Sequence, residues 1–497
     1  MSIYGNLNFV DRHYKPRETD VVLDYLVTPK KGTTVARAAE YIAGESSIGT
    51  WTKIQTMNPV IAHTLKPHVF KIDEKSGEVK IAYPEKLFEP GNMPGILSSI
   101  AGNIYGMKDL TKLRLEDISF STKLLRSFRG PQYGIHGIRR FTKVHDRPLF
   151  GTIVKPKVGL TAEQHAEVAW QAWTGGLDIV KDDENLVSLD FNEFDKRMKL
   201  TFQARDEAER FTGEKKIYLA NVTAETDEMK RRALVVKRLG GEFIMIDILT
   251  AGWAAVQTMR AFCEKNSLAI HAHRAMHGAL TRDHKHGISM LTIAKIARLI
   301  GVDQLHIGTA NLGKMEGDSD EVLTIERLIE GSAMKADEVH QVLKQEWHGL
   351  KPTLAVASGG LSPLHIPALV DLMGVNIVAQ FGGGCHGHPD GTRSGAMAIR
   401  QAWDATSRGI PLEVYAETHP ELAKAIAKWG PRPGTRKGRP PRRPSRVHPA
   451  KKGTKRRSKK TAKKTVKKTA RRGRTNVKAA KRARKTPARR TTGRRKA

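Results

Sequence analysis

Short apolar runs recur eight times through the middle of the chain, at 150–154, 177–180, 217–221, 243–248, 268–271, 304–307, 353–357 and 376–381. Each has the length of a strand buried on both faces, and none has a helical period. Helical patterns lie between them, at 161–173, 228–239, 253–265, 289–300 and 320–329. The first opens on a capping-box pattern, Thr161 with Gln164, and Gly175-Gly176 and Gly240-Gly241 stop two of them. Eight strand–helix units in succession predict a closed (β/α)8 barrel, with a doubly wound open sheet as the structural alternative.

The flanks differ from this rhythm. Residues 21–27 read as a strand, 33–43 as a helix, and 69–73 with 79–82 as a hairpin across 75–77. We expect an α+β, ferredoxin-like domain over 1–130, with a linker near 127–133, and the barrel over 131–430. The last 67 residues, 431–497, hold 31 of the chain's 85 Lys and Arg and none of its 51 Asp and Glu. The remaining 430 residues therefore carry 54 basic against 51 acidic side chains, an ordinary near-neutral globular balance. The tail is Pro-rich at first and then low in complexity, as in TAKKTVKKTA at 461–470, so it is expected to be disordered. The start of the chain shows no apolar signal region, no apolar stretch reads as a membrane span, and the only two cysteines are Cys263 and Cys385. These features point to a cytoplasmic protein without a disulfide framework.

A barrel of this kind places its chemistry at the C-terminal ends of its strands. Those ends read Lys155-Pro156-Lys157, then Lys181-Asp182-Asp183-Glu184, His271-Ala272-His273-Arg274, His306, Ser358-Gly359-Gly360 and Gly382-Gly383-Gly384. Asp183 and Glu184 offer hard oxygen ligands suited to Mg2+, although alone they read more readily as a solvated acidic turn. The glycine-rich ends expose backbone N–H groups able to cradle a phosphate, and Arg274 with His306 would add charge to a second one. Lys155 and Lys157 are expected to depress each other's pKa by repulsion and burial, which suits proton transfer. Lys181 is the odd member: an ammonium group cannot ligate a cation, yet it stands two residues from Asp183.

The segment GGLDIVKDDEN at 175–185 resembles the active-site strand of the ribulose-1,5-bisphosphate carboxylase/oxygenase (RuBisCO) large subunit. KPKVGL at 155–160, HAHRAMH at 271–277, HIGTANLGKMEG at 306–317, VASGG at 356–360 and QFGGG at 380–384 resemble further family motifs, in the family's order. ESSIGTW at 45–51 and GNIYG at 102–106 match in the first domain. The resemblance implies that Lys181 takes up an activating CO2 as a carbamate, which then holds Mg2+ with Asp183 and Glu184 and acts as the enolisation base. It implies proton transfer by Lys155 with support from Lys157, a hydroxyl proton handled by His273, and a contact from Asn103 to the reacting intermediate. Lys314 would close over the site and polarise CO2, paired with Glu45 of another copy. Arg274 and His306 would bind one phosphate of ribulose 1,5-bisphosphate. Thr50, Trp51, Gly359, Gly360, Gly382 and Gly383 would surround the other, near Ser358, Gln380 and Phe381.

The resemblance also implies O2 as a competing substrate and a homodimer, or a larger assembly of dimers with shared sites, without a small subunit. Met315, RDHKHGIS at 282–289 and HGHPDGTRSGA at 386–396 resemble the archaeal form III group, which is linked to AMP and nucleotide salvage. Two other readings stand beside this one. One is a relative that enolises a related sugar phosphate without fixing CO2. The presence of Glu45, Asn103, Lys155, Lys181, Lys314 and Ser358 favours the carboxylase over it. The other is a nucleic-acid-associated protein, since the tail resembles the lysine-rich ends of linker histones and fits non-specific polyanion binding.

Overall fold

The computed structural model describes residues 7–430, apart from 51, 53 and 314–317. Eight parallel strands close into a barrel in chain order: Leu149–Ile153, Ile179–Lys181, Ile217–Asn221, Phe243–Asp247, Ala269–His273, Gln304–His306, Leu354–Ser358 and Ile377–Gln380. The eighth pairs with the first through Gln380 and Gly151, so the barrel closes and the open-sheet alternative falls. Each predicted apolar run has become a barrel strand.

Strand side chains alternate between the barrel interior and the surrounding helices. Ile179, Leu219, Met245, Val356 and Val378 share one buried cluster, plugged by Ile135 and Ile138 of the helix Gly134–Thr142. Their neighbours Val180, Ala220, Ile244, Ala355 and Ala379 belong to the other cluster, which the outer helices share. The next inward position on each of these five strands is Lys181, Asn221, Asp247, Ser358 and Gln380. The interior thus turns from apolar to polar one step above the plug, and that step sets the floor of a site.

The helix Ala162–Thr174 carries the expected capping box: Thr161 accepts from the Gln164 N–H, and the Gln164 side chain accepts from the Thr161 N–H. In the first domain, Asp20–Pro29, His68–Ile72, Glu78–Pro84 and Leu110–Ser119 form an antiparallel sheet in the order fourth, first, third, second. With the helices Val35–Glu45 and Met93–Ile100 between strands, this is a ferredoxin-like arrangement. Gly287–Ile288, a segment between the fifth and sixth barrel strands, extends the sheet beside Leu110–Ser119. Lys295 pairs with Asp117 at 2.6 Å, both fully buried, and joins the barrel helix Met290–Ile300 to that strand. Among the described residues no helix is long and apolar enough to cross a membrane. The tail at 431–497, with its expected disorder, lies outside them.

Candidate active site

Lys181 ends the second barrel strand and is fully buried. Its Nζ donates to the Asp182 carbonyl at 2.7 Å and rests 3.1 Å from Met245 Sδ, at the top of the apolar plug. Burial pushes this amine below the usual lysine range, against the opposing pull of Glu184, Asp247 and Asp183. Asp182 makes a different set of contacts: it accepts from Tyr218 Oη at 2.5 Å, the Asn221 N–H at 2.9 Å and Arg197 Nη2 at 3.3 Å.

Asp183 and Glu184 meet the lysines that follow the first strand. Lys155 Nζ lies 2.7 Å from Asp183, and Lys157 Nζ lies 2.7 Å from Glu184 and 3.7 Å from Asp183. Asn221 Nδ2 donates to the carbonyls of both residues at 3.3 Å, which pins the turn. Burial opposes the charge on Glu184, but Lys181, the Lys157 hydrogen bond and His273 outweigh it and hold the carboxyl at about 2. The expected mutual depression of the two lysines fails at Lys157. Its side chain is half-exposed, and the hydrogen bond to Glu184 raises its pKa. The carboxylates, absent from the reasoning about neighbouring lysines, decide the sign.

The fifth and sixth strands bring imidazoles together. His273 Nδ1 sits 2.8 Å from Asp247, and its Nε2 lies 3.8 Å from Glu184. His271 bridges Gln304 at 2.7 Å and His306 at 2.8 Å. Burial, then the neighbouring His273 and His271, push His306 well below the usual histidine range. His306 is therefore neutral and offers a hydrogen bond, which corrects the expectation that it adds charge. Arg274 is lowered by burial only to about 10, so it keeps its charge at neutral pH.

The seventh and eighth strands end on glycines. Gly359 and Gly360 have φ of 131° and 81°, a region that favours glycine. A Cβ on Gly313, in the loop after the sixth strand, would meet the Gly359 carbonyl at 1.9 Å, so the two backbones touch. A Cβ on Gly382 would lie 3.3 Å from Lys155 Cε, while Gly383 has open space beside it. Ser358 and Gln380 pair across the seventh and eighth strands, with Phe381 following. Gln380 is buried, and neither its Oε1 nor its Nε2 has a hydrogen-bond partner among the described residues. Such orphaned polar atoms at the barrel floor suit a polar ligand.

Asn103 donates to Glu45 at 3.4 Å, and both stand in the sheet domain, at the turn Asn103–Gly106 and the end of the helix Val35–Glu45. Thr50 follows in that domain, while Trp51 and Lys314 lie outside the described residues. The sequence reading passed over Asn221, Asp247 and Gln304. Each is a polar residue at an inward position of an apolar run, and that alternation was the available signal.

The carboxylates of Asp183 and Glu184 suit a hard cation, and lysine ammonium groups already stand against both. Among the described residues no group of three or more His, Cys, Asp or Glu gathers to hold a metal ion. Two neighbouring carboxylates fit Mg2+, which commonly takes one or two protein carboxylates and completes its shell with other oxygens.

The catalytic-domain model of the ribulose bisphosphate carboxylase large chain matches residues 134–429, and its N-terminal-domain model matches 8–124. The ribulose bisphosphate carboxylase of Methanosarcina barkeri is 52% identical over 423 residues, covering 85% of this chain and 99% of that protein. The Methanocaldococcus jannaschii carboxylase is 48% identical over 430 residues, covering 85% and 100%. The dimeric archaeal Rubisco of Hyperthermus butylicus superposes with a TM-score of 0.81 at 46% identity, over 86% of this chain and 100% of the other. The octameric enzyme of Pyrococcus horikoshii, described as a complex with sulfate, gives 0.78 at 44%, over 85% and 96%. The chain belongs to the ribulose bisphosphate carboxylase large chain family, close to its archaeal members, and is a ribulose bisphosphate carboxylase.

Proposed function

We propose that carboxylation of ribulose 1,5-bisphosphate runs at the barrel mouth around Lys181. The observation that carries this is the fully buried amine of Lys181 within the field of Glu184, Asp247 and Asp183. A neutral amine adds to CO2 and releases a proton, which turns this position into an oxygen donor beside Asp183 and Glu184. These three groups would hold Mg2+, whose Lewis acidity favours negative charge on substrate oxygens. The carboxylated Lys181 takes the enolisation proton. His273, oriented by Asp247, accepts a hydroxyl proton. Lys155 returns a proton to the product carbanion, with Lys157 beside it.

Arg274 and His306 hold one phosphate, and the backbones of Gly359, Gly360, Gly382 and Gly383 hold the other, with Thr50 and Trp51. Ser358, Gln380 and Phe381 line the space between. Lys314 polarises the incoming CO2, for which O2 competes. Glu45 and Asn103 stand on the sheet domain and serve the site of a second copy, so the working unit is a homodimer or an assembly of dimers, and no small subunit is needed. The form III motifs favour a place in AMP salvage, in which ribose carbon from labelled AMP would reach 3-phosphoglycerate in cell extract. The test of the site is carboxylation after preincubation with bicarbonate and Mg2+, beside Lys181→Ala. Two molecules of 3-phosphoglycerate per substrate, lost in the variant, are expected. No product from folded wild-type protein would return the chain to the enolising alternative.

A second reading concerns the tail alone. The relatives are covered almost end to end by 85% of this chain, and the catalytic-domain match ends at 429. Residues 431–497 are thus an addition, with 31 Lys and Arg and no Asp or Glu. We infer that it binds nucleic acid without sequence preference, since it contains no Phe, Trp or Tyr to stack on a base. Equal retention on heparin by full-length protein and by a chain ending at Trp429 would remove this reading.

A further inference from the structure

The motif that follows the eighth strand contains a histidine that the reaction described above does not use. His386 ends the short helix Gly383–His386, which opens on the glycines of the loop at 382–384. Its Nε2 lies 2.9 Å from the Ile153 carbonyl and 2.8 Å from Thr152 Oγ1, and its Nδ1 lies 3.0 Å from Thr392 Oγ1. A carbonyl oxygen only accepts, so Nε2 carries the hydrogen. Burial pushes the imidazole down to about 4, so at neutral pH it is uncharged and Nδ1 accepts from the Thr392 hydroxyl. The buried Thr152 hydroxyl in turn donates to the Phe381 carbonyl at 2.7 Å.

One ring therefore ties three pieces of backbone. Ile153 ends the first strand, two residues before Lys155. Phe381 follows the eighth strand, one residue before Gly382. Thr392 opens the helix Gly391–Ser407. The parts it joins have little slack: a Cβ on Gly384 would meet the Leu361 carbonyl at 2.0 Å, and one on Gly382 would come within 3.3 Å of Lys155 Cε. The ladder already holds the first strand to the eighth as far as Gly151 and Phe381, so what the tie adds is a fixed separation between the end of the first strand, near Lys155, and the glycines after Phe381.

We infer that His386 is a positioning residue that locks the glycine loop at 382–384 to the end of the first strand, and so sets the phosphate cradle against Lys155. This rests on the reading, given above, that Gly382 and Gly383 hold a substrate phosphate.

The test uses the full-length chain as wild type, His386→Leu, His386→Gln, Thr152→Val, and the double variant of His386→Leu with Thr152→Val. Binding of ribulose 1,5-bisphosphate is measured directly by calorimetry, with KM, kcat and thermal unfolding alongside. Leucine fills the space but cannot donate to Ile153, so the dissociation constant and KM should rise by about tenfold, the scale of one net hydrogen bond. A loss of folded protein would lower kcat and leave KM unchanged, which separates positioning from a merely structural role. Glutamine can still donate to Ile153 and should bind within about twofold of wild type. Thr152→Val should weaken binding as well, and the double variant should be little worse than either single change, because one tie is lost. Binding by His386→Leu equal to wild type would overturn the inference, as would a glutamine variant as weak as the leucine one. Should His386→Leu not fold, unchanged binding by Thr152→Val overturns it in its place. Wild type that binds the bisphosphate without forming product would strike the catalytic assignments, while the tie is still judged on binding alone.

Discussion

An amine withdrawn from water loses much of its reason to hold a proton. At Lys181 that loss is opposed by the field of Glu184, Asp247 and Asp183, and the proposed carbamate would set an anion beside Asp183 and Glu184, where a cation is wanted. With 13C-labelled bicarbonate and Mg2+, a carbamate resonance should appear in the wild type and be missing in Lys181→Met. A resonance of equal intensity in the variant would place the activating CO2 elsewhere. The strand-end lysines, carboxylates and glycines were legible because a barrel assigns a fixed place to strand ends. The Lys157–Glu184 pairing and the neutrality of His306 were not, because they depend on neighbours from other strands. A second residue-scale prediction concerns Asp24, fully buried, with neither carboxylate oxygen hydrogen-bonded among the described residues and Lys80 3.6 Å away. Burial raises its pKa to about 8, against the pull of Lys80 and with the help of Glu78, Asp117 and Glu116. The folded chain thus keeps a proton that the unfolded chain releases near pH 4, and stability falls as pH rises from about 4 to about 8. Asp24→Asn should remove that slope, with a gain over wild type at pH 9 on the order of 5 kcal/mol. Parallel denaturation curves at pH 5 and pH 9 for the two proteins would contradict it.

Elements were legible in proportion to how apolar their buried faces are. The eight barrel strands are buried on both faces, so each reads as a continuous apolar run whatever its neighbours do. The helix Phe194–Thr212 went unread because its buried face includes Arg197 and Arg205, whose guanidinium groups find oxygen partners inside. The strand Leu110–Ser119 hid in the same way, since Arg114 and Asp117 are buried in it and satisfied by Thr281, Asp283 and Lys295. A buried charge with a partner from far along the chain looks like surface until the partner is known. Two measurements address single elements. Thr161→Ala deletes the capping box of Ala162–Thr174 and should cost about 1 kcal/mol in urea unfolding, with no change in slope. Arg147 makes two bonds to Asp178, at 2.6 and 2.7 Å, and ties the residues just ahead of the first two barrel strands. Arg147→Ala strands a buried carboxylate and should cost roughly 3–5 kcal/mol. A loss no larger than that of Thr161→Ala would mean that water replaces the guanidinium.

At the scale of the whole chain, two parts follow different physics. Residues 1–430 are nearly balanced in charge and build their core from packed strands and helices, while 431–497 carry 31 positive side chains and no negative one. The family match ends at 429, where the helix Pro420–Trp429 also ends, so the enzyme's own core is complete before the tail begins. Carboxylation by a chain ending at Trp429 should therefore equal that of the full chain at high ionic strength. Binding to a duplex of arbitrary sequence should differ completely. Each phosphate neutralised releases a condensed counterion, so log K falls with log salt by about 0.9 per contact. If only a third of the 31 cations engage, the slope is about −9, and the affinity falls by roughly five powers of ten between 50 and 200 mM salt. Sequence should matter little, because a cation on a flexible stem reads the backbone and not the base edges. The full chain, titrated with two duplexes of unrelated sequence across that salt range, should give one steep line for both. A shallow slope, or a line shared with the chain ending at Trp429, would remove the polyanion reading and leave residues 1–430 as the only functional part.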